Sequence, residues 1–234
     1  MSIPENTNLA ETFAGLTKTD EKVTSLTNSH FAKAASAERV NAAKAALEKN
    51  GFKVHVVNTR ADAFEALKNL IPAGVSINNA HSTTLEEIGF ISYIKGETPW
   101  KNIHGSIVKE ADAAKQADLR RTLGSTVDYY LTSVAAVTET GHLAHGDLSG
   151  SKVGPVSFAA GNVIVVAGSN KIVKDEFEAW KRMEEFALPL ESARVRIAYG
   201  LPASSITHYE VLRTPSPFNA NRIQVLLINE ALGY

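Results

Sequence analysis

Two short loops hold most of the side chains in this sequence that can do chemistry. The first, NNAHSTTLEEIG at 78–89, sets His81, Ser82, Thr83, Thr84, Glu86 and Glu87 directly after an apolar run. The second, TETGHLAHGDLSGSK at 138–152, carries Glu139, His142, His145, Asp147 and Lys152 among glycines. Glu139 sits where the apolar stretch from Tyr129 to Val137 ends. A carboxylate partly withdrawn from water there has a raised pKa, suited to general acid or base work or to nucleophilic attack on an acyl group. A glutamate in a solvated turn is the competing reading. His81 and His142 are the candidate proton partners, because imidazole titrates near neutrality.

Around these three catalytic candidates stand groups that can hold a ligand. Ser82, Thr83 and Thr84 precede a helix whose third residue or so is Glu86 or Glu87, which is a capping-box pattern. The same amides and hydroxyls, with Asn79 before them, can instead receive a carboxylate or phosphate. In the second loop Thr138, Gly141, Asp147, Gly150 and Lys152 are the matching candidates, and Lys152 can steady an anion. GDLSGSK lacks the spacing of a phosphate-binding P-loop, and a solvated hairpin competes with it. A divalent transition metal is a candidate cofactor, with His81, His142, His145 and Asp147 as its ligands, since imidazole and carboxylate suit zinc, manganese or iron. Against it, His142 and His145 are three apart and point to opposite faces if the segment is a strand, unless a turn at Gly146 relaxes this. His30, His55, His104 and His208 read as surface or packing residues. The expectation is that the two loops face each other across one site.

The elements that must position them follow from periodicity. Phe31 to Lys49 has Val40, Ala43, Ala46 and Leu47 at helical spacing and stops at Asn50-Gly51, where glycine supplies a left-handed cap. Lys53 to Val57 reads as a strand, and Thr59 or Asp62 caps a helix carrying Phe64, Leu67, Leu70 and Ile71. Gly74 to Ile77 is a second strand, and a further helix starts near Thr84. Helix, strand, helix, strand, helix is the alternation of a parallel sheet covered by helices. Gly96 to Gly105 reads as an irregular flap, Ala111 to Leu123 as a helix and Tyr129 to Val137 as one strand. Asn162 to Ala167 (NVIVVA) is apolar throughout, as expected of a central strand buried on both faces. A helix over Lys174 to Leu188, a turn-rich stretch over Leu201 to Tyr209, a rigid Thr214–Pro217 connector and a last strand over Arg222 to Ile228 complete the chain. Residues 1–30 read as an N-terminal helical arm, with a helix near Leu9 to Leu16, ahead of one α/β domain over 31–234.

Composition narrows the function classes. The apolar share is 44% and the charged share 21%, which is that of a packed globule rather than a disordered chain. Net charge is −1 with no basic stripe, so nucleic acid is not an expected partner. No apolar run is long enough to cross a bilayer and the first residues lack a signal-peptide pattern, so no membrane association and a cytoplasmic location are the expectations. Cysteine is absent, which excludes disulfides, thiolate nucleophiles and cysteine-held clusters.

Four stretches, TLEEIG, LTSVAAVTETG, GNVIVVAGSNKIVKD and the closing VLLINEALGY, occur in an order and spacing that resembles the lactate-utilisation (LUD) domain family over roughly residues 35–234. The resemblance implies a Rossmann-like layered sheet with helices on both faces, of the NagB/RpiA/CoA-transferase-like kind. It also implies a role near lactate or another small hydroxy acid, homo-oligomerisation, and an iron–sulfur protein as a candidate partner. This chain departs from the family pattern in three places. Ala198 to Asn221 holds no cysteine, Asn79-Ala80-His81-Ser82-Thr83 replaces a glycine-rich entry to TLEEIG, and His142 to Asp147 brings two further histidines into the second loop. The reading is therefore an enzyme of isomerase, transferase or hydrolase type acting on a small anionic carboxylate or sugar phosphate. Proton abstraction beside a carbonyl is favoured, with metal-assisted hydrolysis behind it. The alternative is a non-catalytic subunit or ligand-binding component of a lactate-oxidising complex.

Overall fold

The structure is a computed structural model that describes residues 12–234. Two short helices, α1 (Thr12–Thr19) and α2 (Glu21–Thr24), lead into α3 (Ala37–Lys49). Leu9 lies outside the described residues. Helix α3 starts later than its apolar spacing suggests. Ser36 caps it by accepting the Arg39 N–H, and Phe31 is instead buried in a short 3-10 turn. The chain then runs β1 (Lys53–Val57), α4 (Arg60–Leu70), β2 (Ser76–Asn79), α5 (Thr83–Glu87), α6 (Phe90–Tyr93), β3 (Lys101–Asn102), α7 (Ile103–Val108) and α8 (Ala113–Arg121). It continues through β4 (Tyr129–Thr132), β5 (Ala136–Thr138), β6 (Leu143–Asp147), β7 (Asn162–Gly168), β8 (Ile172–Val173), α9 (Glu176–Arg182), α10 (Leu188–Tyr199), β9 (His208–Leu212) and β10 (Ile223–Ile228).

Six strands form one parallel sheet in the order β1-β10-β7-β4-β2-β3. Alternate residues of its central strands enter two separate cores. Val163, Val165, Val225 and Leu227 pack with Val40 and Leu47 of α3, whereas Ile164, Val166, Leu226 and Ile228 pack with Ala63 and Leu67 of α4. That division is why NVIVVA is apolar at every position: helices cover both faces, as in a Rossmann-like layered α/β fold. Among the described residues no helix is long and apolar enough to cross a membrane.

A second sheet, β8-β5-β6-β9, takes three stretches that local sequence does not mark. Tyr129 to Val137, expected as one strand, divides at Ser133–Ala135, with β4 in the parallel sheet and β5 in the second. The break carries no signal because the residues on either side of it are buried alike, Leu131 and Thr132 before and Ala136 and Val137 after. Strand β6 lies inside the expected loop at 138–152, and β9 takes over the end of the turn-rich stretch. The two pair antiparallel, setting Leu143 opposite Leu212, His145 opposite Glu210 and Asp147 opposite His208.

The helix expected to stop at Leu188 continues to Tyr199, where Gly200 caps it at φ +65°. Pro189 lacks an N–H and would clash with the carbonyl one turn back in a regular helix. A wider π turn at Met183–Ala187 precedes it and absorbs the mismatch.

Gly141 closes the β5–β6 turn at φ +83°, and a Cβ there would stand 2.4 Å from the Ala46 carbonyl oxygen of α3. Both the dihedral and the contact exclude a side chain. Gly141→Ala is expected to cost about 3 kcal/mol of stability, read from the urea midpoint, through left-handed strain and displacement of α3. An unchanged midpoint would show that the two sheets tolerate separation at this point.

Candidate active site

A cavity of about 540 Å³ opens at the C-terminal ends of β2 and β4. From β2 the chain moves outward to β3, and from β4 it moves the other way to β7, so the two adjacent strands diverge at their carboxyl ends. Such a reversal leaves a crevice, the usual ligand position in open parallel sheets. Both loops reach it. Asn78 through Thr83 line it from the end of β2, Ser133 to Ala135 from the end of β4, and Asp147, Leu148, Ser149, Ser151 and Lys152 from the loop after β6. Helix α10 supplies Glu191 and Arg194.

The first loop folds locally as its capping pattern dictates. Ser82 is the N-cap of α5 and accepts the Leu85 N–H at 3.2 Å. That turn brings Glu86 back toward His81, with Oε1 3.6 Å from Nδ1. Burial pushes the Glu86 carboxyl up to about 7, and its side chain is 13% exposed. His81 stands in the cavity opening. The protein surrounding it disfavours the imidazolium, and the Arg194 charge adds to this, so its pKa is depressed. Solvent in the cavity still reaches 32% of the side chain, which limits that depression. Glu87 points elsewhere, its carboxylate accepting the Gly233 N–H at 2.7 Å.

The second loop is tied down by Asp147, whose carboxylate accepts the N–H groups of Ser149 at 3.0 Å and Lys152 at 2.7 Å. The Lys152 side chain lies along the cavity wall, and burial lowers its pKa. Among the described residues no carboxylate pairs with its ammonium. The neighbouring Arg194 is neutralised by Glu191, Nε to Oε2 at 2.8 Å, and the Tyr234 hydroxyl donates to the same Oε2 at 2.7 Å. Lys171 enters from the turn after β7 with Nζ 3.0 Å from Ser133 Oγ.

The histidines do not converge. His81 meets Glu86, His142 Nδ1 meets Glu176 Oε1 at 2.8 Å, and His145 Nε2 meets Glu210 Oε2 at 3.0 Å across the β6–β9 register. Three histidines have three different carboxylates, and among the described residues no three His, Asp or Glu side chains form a group able to hold a metal. Of the other residues singled out from sequence, Asn79, Ser82, Thr83, Asp147 and Lys152 reach the cavity. Glu139 does not line it, being held at 2.5 Å by Arg39, whose Nη2 also donates to the Ile172 carbonyl. Thr138 Oγ1 accepts the His142 N–H inside the β5–β6 turn, Gly141 packs on α3, and Gly150 lies against the His208 ring. Thr84 is buried beside Ser133, their hydroxyls 3.3 Å apart.

Lys171, Ser133, Glu191, Arg194 and Tyr234 were not foreseen as site residues. Lys171 had a signal: a lysine in the apolar run VIVVAGSNKIV must be buried, and buried amines are rare without a purpose. Glu191 and Arg194 had none, since on a helix an acidic and a basic residue three apart read as a solvated pair.

The fold and the position of the cavity define a Rossmann-like layered α/β protein with a cavity at the strand-order reversal. The LUD domain matches residues 40–228. The chain belongs to that family, the lactate-utilisation-associated LUD domain, and its general role accordingly lies in lactate-related metabolism. Among solved structures it is similar to a DUF162 family protein from Deinococcus radiodurans, with 16% identity over 82% of this chain and 97% of that one and a TM-score of 0.47. Comparison with curated proteins gives no match.

Proposed function

We propose that the cavity binds a small hydroxy- or oxo-carboxylate and that the protein is an enzyme that moves a proton beside the substrate carbonyl. The observation that carries this reading is His81 on the wall of a cavity that also holds the unpaired Lys152 ammonium, with the Glu86 carboxyl 3.6 Å behind the imidazole and reached through it. Lys152 fixes the substrate carboxylate and stabilises the negative charge that develops when the proton leaves. A carboxyl that titrates near 7 is poised to take and return a proton at neutral pH, and a neutral imidazole relays it. The 3.6 Å between them is closed by a small rotation or one bridging water. Glu139, paired with Arg39, holds the second loop against α3 in this reading and does not touch substrate.

Proton–deuterium exchange tests it. Lactate, pyruvate and longer 2-hydroxy and 2-oxo acids are incubated with the protein in deuterated water and the position beside the carbonyl is followed by NMR. Enzyme-dependent exchange is expected for at least one of them, and exchange with none would sink the assignment. Lys152→Met, read by calorimetry, should weaken binding of the exchanging acid about 10- to 100-fold, the loss of one charge-assisted hydrogen bond. Undiminished affinity would remove Lys152 from the site.

A second reading, a ligand-binding subunit of a lactate-oxidising complex, requires a partner surface, for which Phe158, Phe177 and Phe218, 88, 79 and 99% exposed, are the most exposed aromatic side chains among the described residues. Exchange catalysed by the isolated chain would exclude it.

A further inference from the structure

Lys171 is among the largest fully buried side chains of the protein. Among the described residues its Nζ has three neighbours at hydrogen-bonding distance: Ser133 Oγ at 3.0 Å, the Val134 carbonyl oxygen at 3.1 Å and the main-chain oxygen of Tyr234 at 2.9 Å. No aspartate or glutamate side chain is among them. Ser133 is the residue directly after β4, at the strand reversal where the cavity opens, and both Ser133 and Lys171 line that cavity. We propose that Ser133 and Lys171 are a nucleophile and its base, giving the cavity an acyl-transfer activity toward esters or thioesters of small acids.

Donor counting supports the pairing. A neutral amine has two N–H donors and one lone pair. With the Val134 and Tyr234 oxygens taking the two N–H groups of a neutral amine, the lone pair faces the Ser133 hydroxyl, whose other acceptor is the more distant Val134 carbonyl oxygen at 3.4 Å. Burial favours that neutral form, pushing the amine well below its ordinary range; the Arg182 and Lys152 charges add to the effect and the Glu87 charge opposes it. A serine hydroxyl next to a base, with the base itself oriented by further groups, is the arrangement that activates an otherwise weak nucleophile. The Thr84 hydroxyl, 3.3 Å from Ser133 Oγ, braces the serine on its other side.

The step balances within the pair. As Ser133 Oγ forms its bond to the acyl carbon, its proton passes to Lys171 Nζ and the carbonyl electron pair moves onto oxygen. When the tetrahedral adduct collapses, the bond to the leaving alcohol or thiol breaks and Lys171 returns the proton to that leaving group. Water then repeats the sequence on the acyl-serine and releases the acid. Neither Glu86 nor Lys152 takes part, so this activity stands or falls apart from proton exchange at the same cavity.

p-Nitrophenyl acetate is the probe, with the aryl oxide followed by absorbance and the protein by intact mass and peptide mapping. Expected is a burst of about one equivalent with one acetyl group on Ser133. Ser133→Ala should lose the burst and keep its melting temperature. Lys171→Met should slow acylation about 10²- to 10⁴-fold, the range for losing a positioned base. Because that variant also loses three buried hydrogen bonds, the pH dependence of the wild-type burst is the second readout. The rate should rise with a group that titrates below the usual lysine range. Acetylation confined to surface lysines, or an equal burst in Ser133→Ala, would overturn the proposal.

Discussion

Arg182→Ala is expected to lower the stability of the protein by about 4–5 kcal/mol, seen as a large drop in the urea midpoint at neutral pH. The guanidinium is fully buried, and among the described residues no carboxylate pairs with it. It donates to the carbonyl oxygens of Asn170 at 3.3 Å and Phe31 at 3.3 Å and makes a close hydrogen bond to that of Ala135, and it lies 5.0 Å from the centre of the Phe186 ring. Burial without a counter-charge pushes its pKa down to about 9, so the charge itself is costly to keep inside. What it stabilises is the junction of three segments: the turn before α3, the break between β4 and β5, and the turn that presents Lys171. Alanine would leave three buried carbonyl groups without a donor and a void the size of the lost side chain. The two effects overlap and are not summed. Arg182→Lys keeps the charge but not the planar fork, and should fall between wild type and alanine. A loss under about 1 kcal/mol in Arg182→Ala would mean that the junction is held by its apolar contacts alone.

Glu86→Gln is expected to abolish most proton exchange and, above pH 7, to make the protein more stable. The first effect follows from removing the proposed base and amounts to about 10²- to 10⁴-fold in rate. The second follows from linkage. Glu86 holds its proton in the folded state up to about 7, whereas an ordinary glutamate releases it near 4.5. Between those values unfolding releases a proton, so this group makes stability fall as pH rises, and above 7 the whole cost is present. At its full extent that cost is on the order of 3 kcal/mol, and glutamine does not carry it. His81 acts in the opposite sense: its depressed pKa makes the unfolded state bind the extra proton, so its contribution is lost as pH falls below the ordinary imidazole range. In the wild type the two oppose each other over the weakly acidic range. In Glu86→Gln the histidine effect stands alone. Urea denaturation of both proteins at pH 5, 6, 7 and 8 reads the difference, which should grow in favour of the variant toward pH 8. A variant less stable than wild type at pH 8 would show that the ionised Glu86 is well solvated where it stands.

The same two residues show how much of the site was legible beforehand. The hydroxyl run before TLEEIG marks a helix start, and Ser82 does cap α5, because capping depends on residues three apart in the chain. Helical geometry then carries Glu86 back over the first turn toward His81. The sequence left Glu86 and Glu87 equivalent, since both sit in that turn. They separate because α10 and the Arg194 charge lie on one side while the Gly233 N–H lies on the other. Glu139 shows the converse. Its local setting, an apolar strand followed by a glycine turn, is as expected, but Arg39 lies a hundred residues earlier and reaches it through the packing of α3 on the second sheet.

By itself the sequence determined the alternation of helices and parallel strands, the central position of the all-apolar strand β7, the C-terminal stop of α3, the N-cap of α5, and the family. Each rests on periodicity, on propensity or on residues within a few positions of one another, and such short-range physics is written in the order of the chain. The tertiary structure decided that Tyr129 to Thr138 serves two sheets and that His81, His142 and His145 each meet a different glutamate. It also decided that Lys171, Ser133 and the Glu191–Arg194 pair complete the cavity. These depend on register between segments such as β6 and β9, where His145 meets Glu210, and on which face α10 turns inward. Buried area and strand pairing, summed over the whole fold, select that register, and no local stretch of sequence carries it.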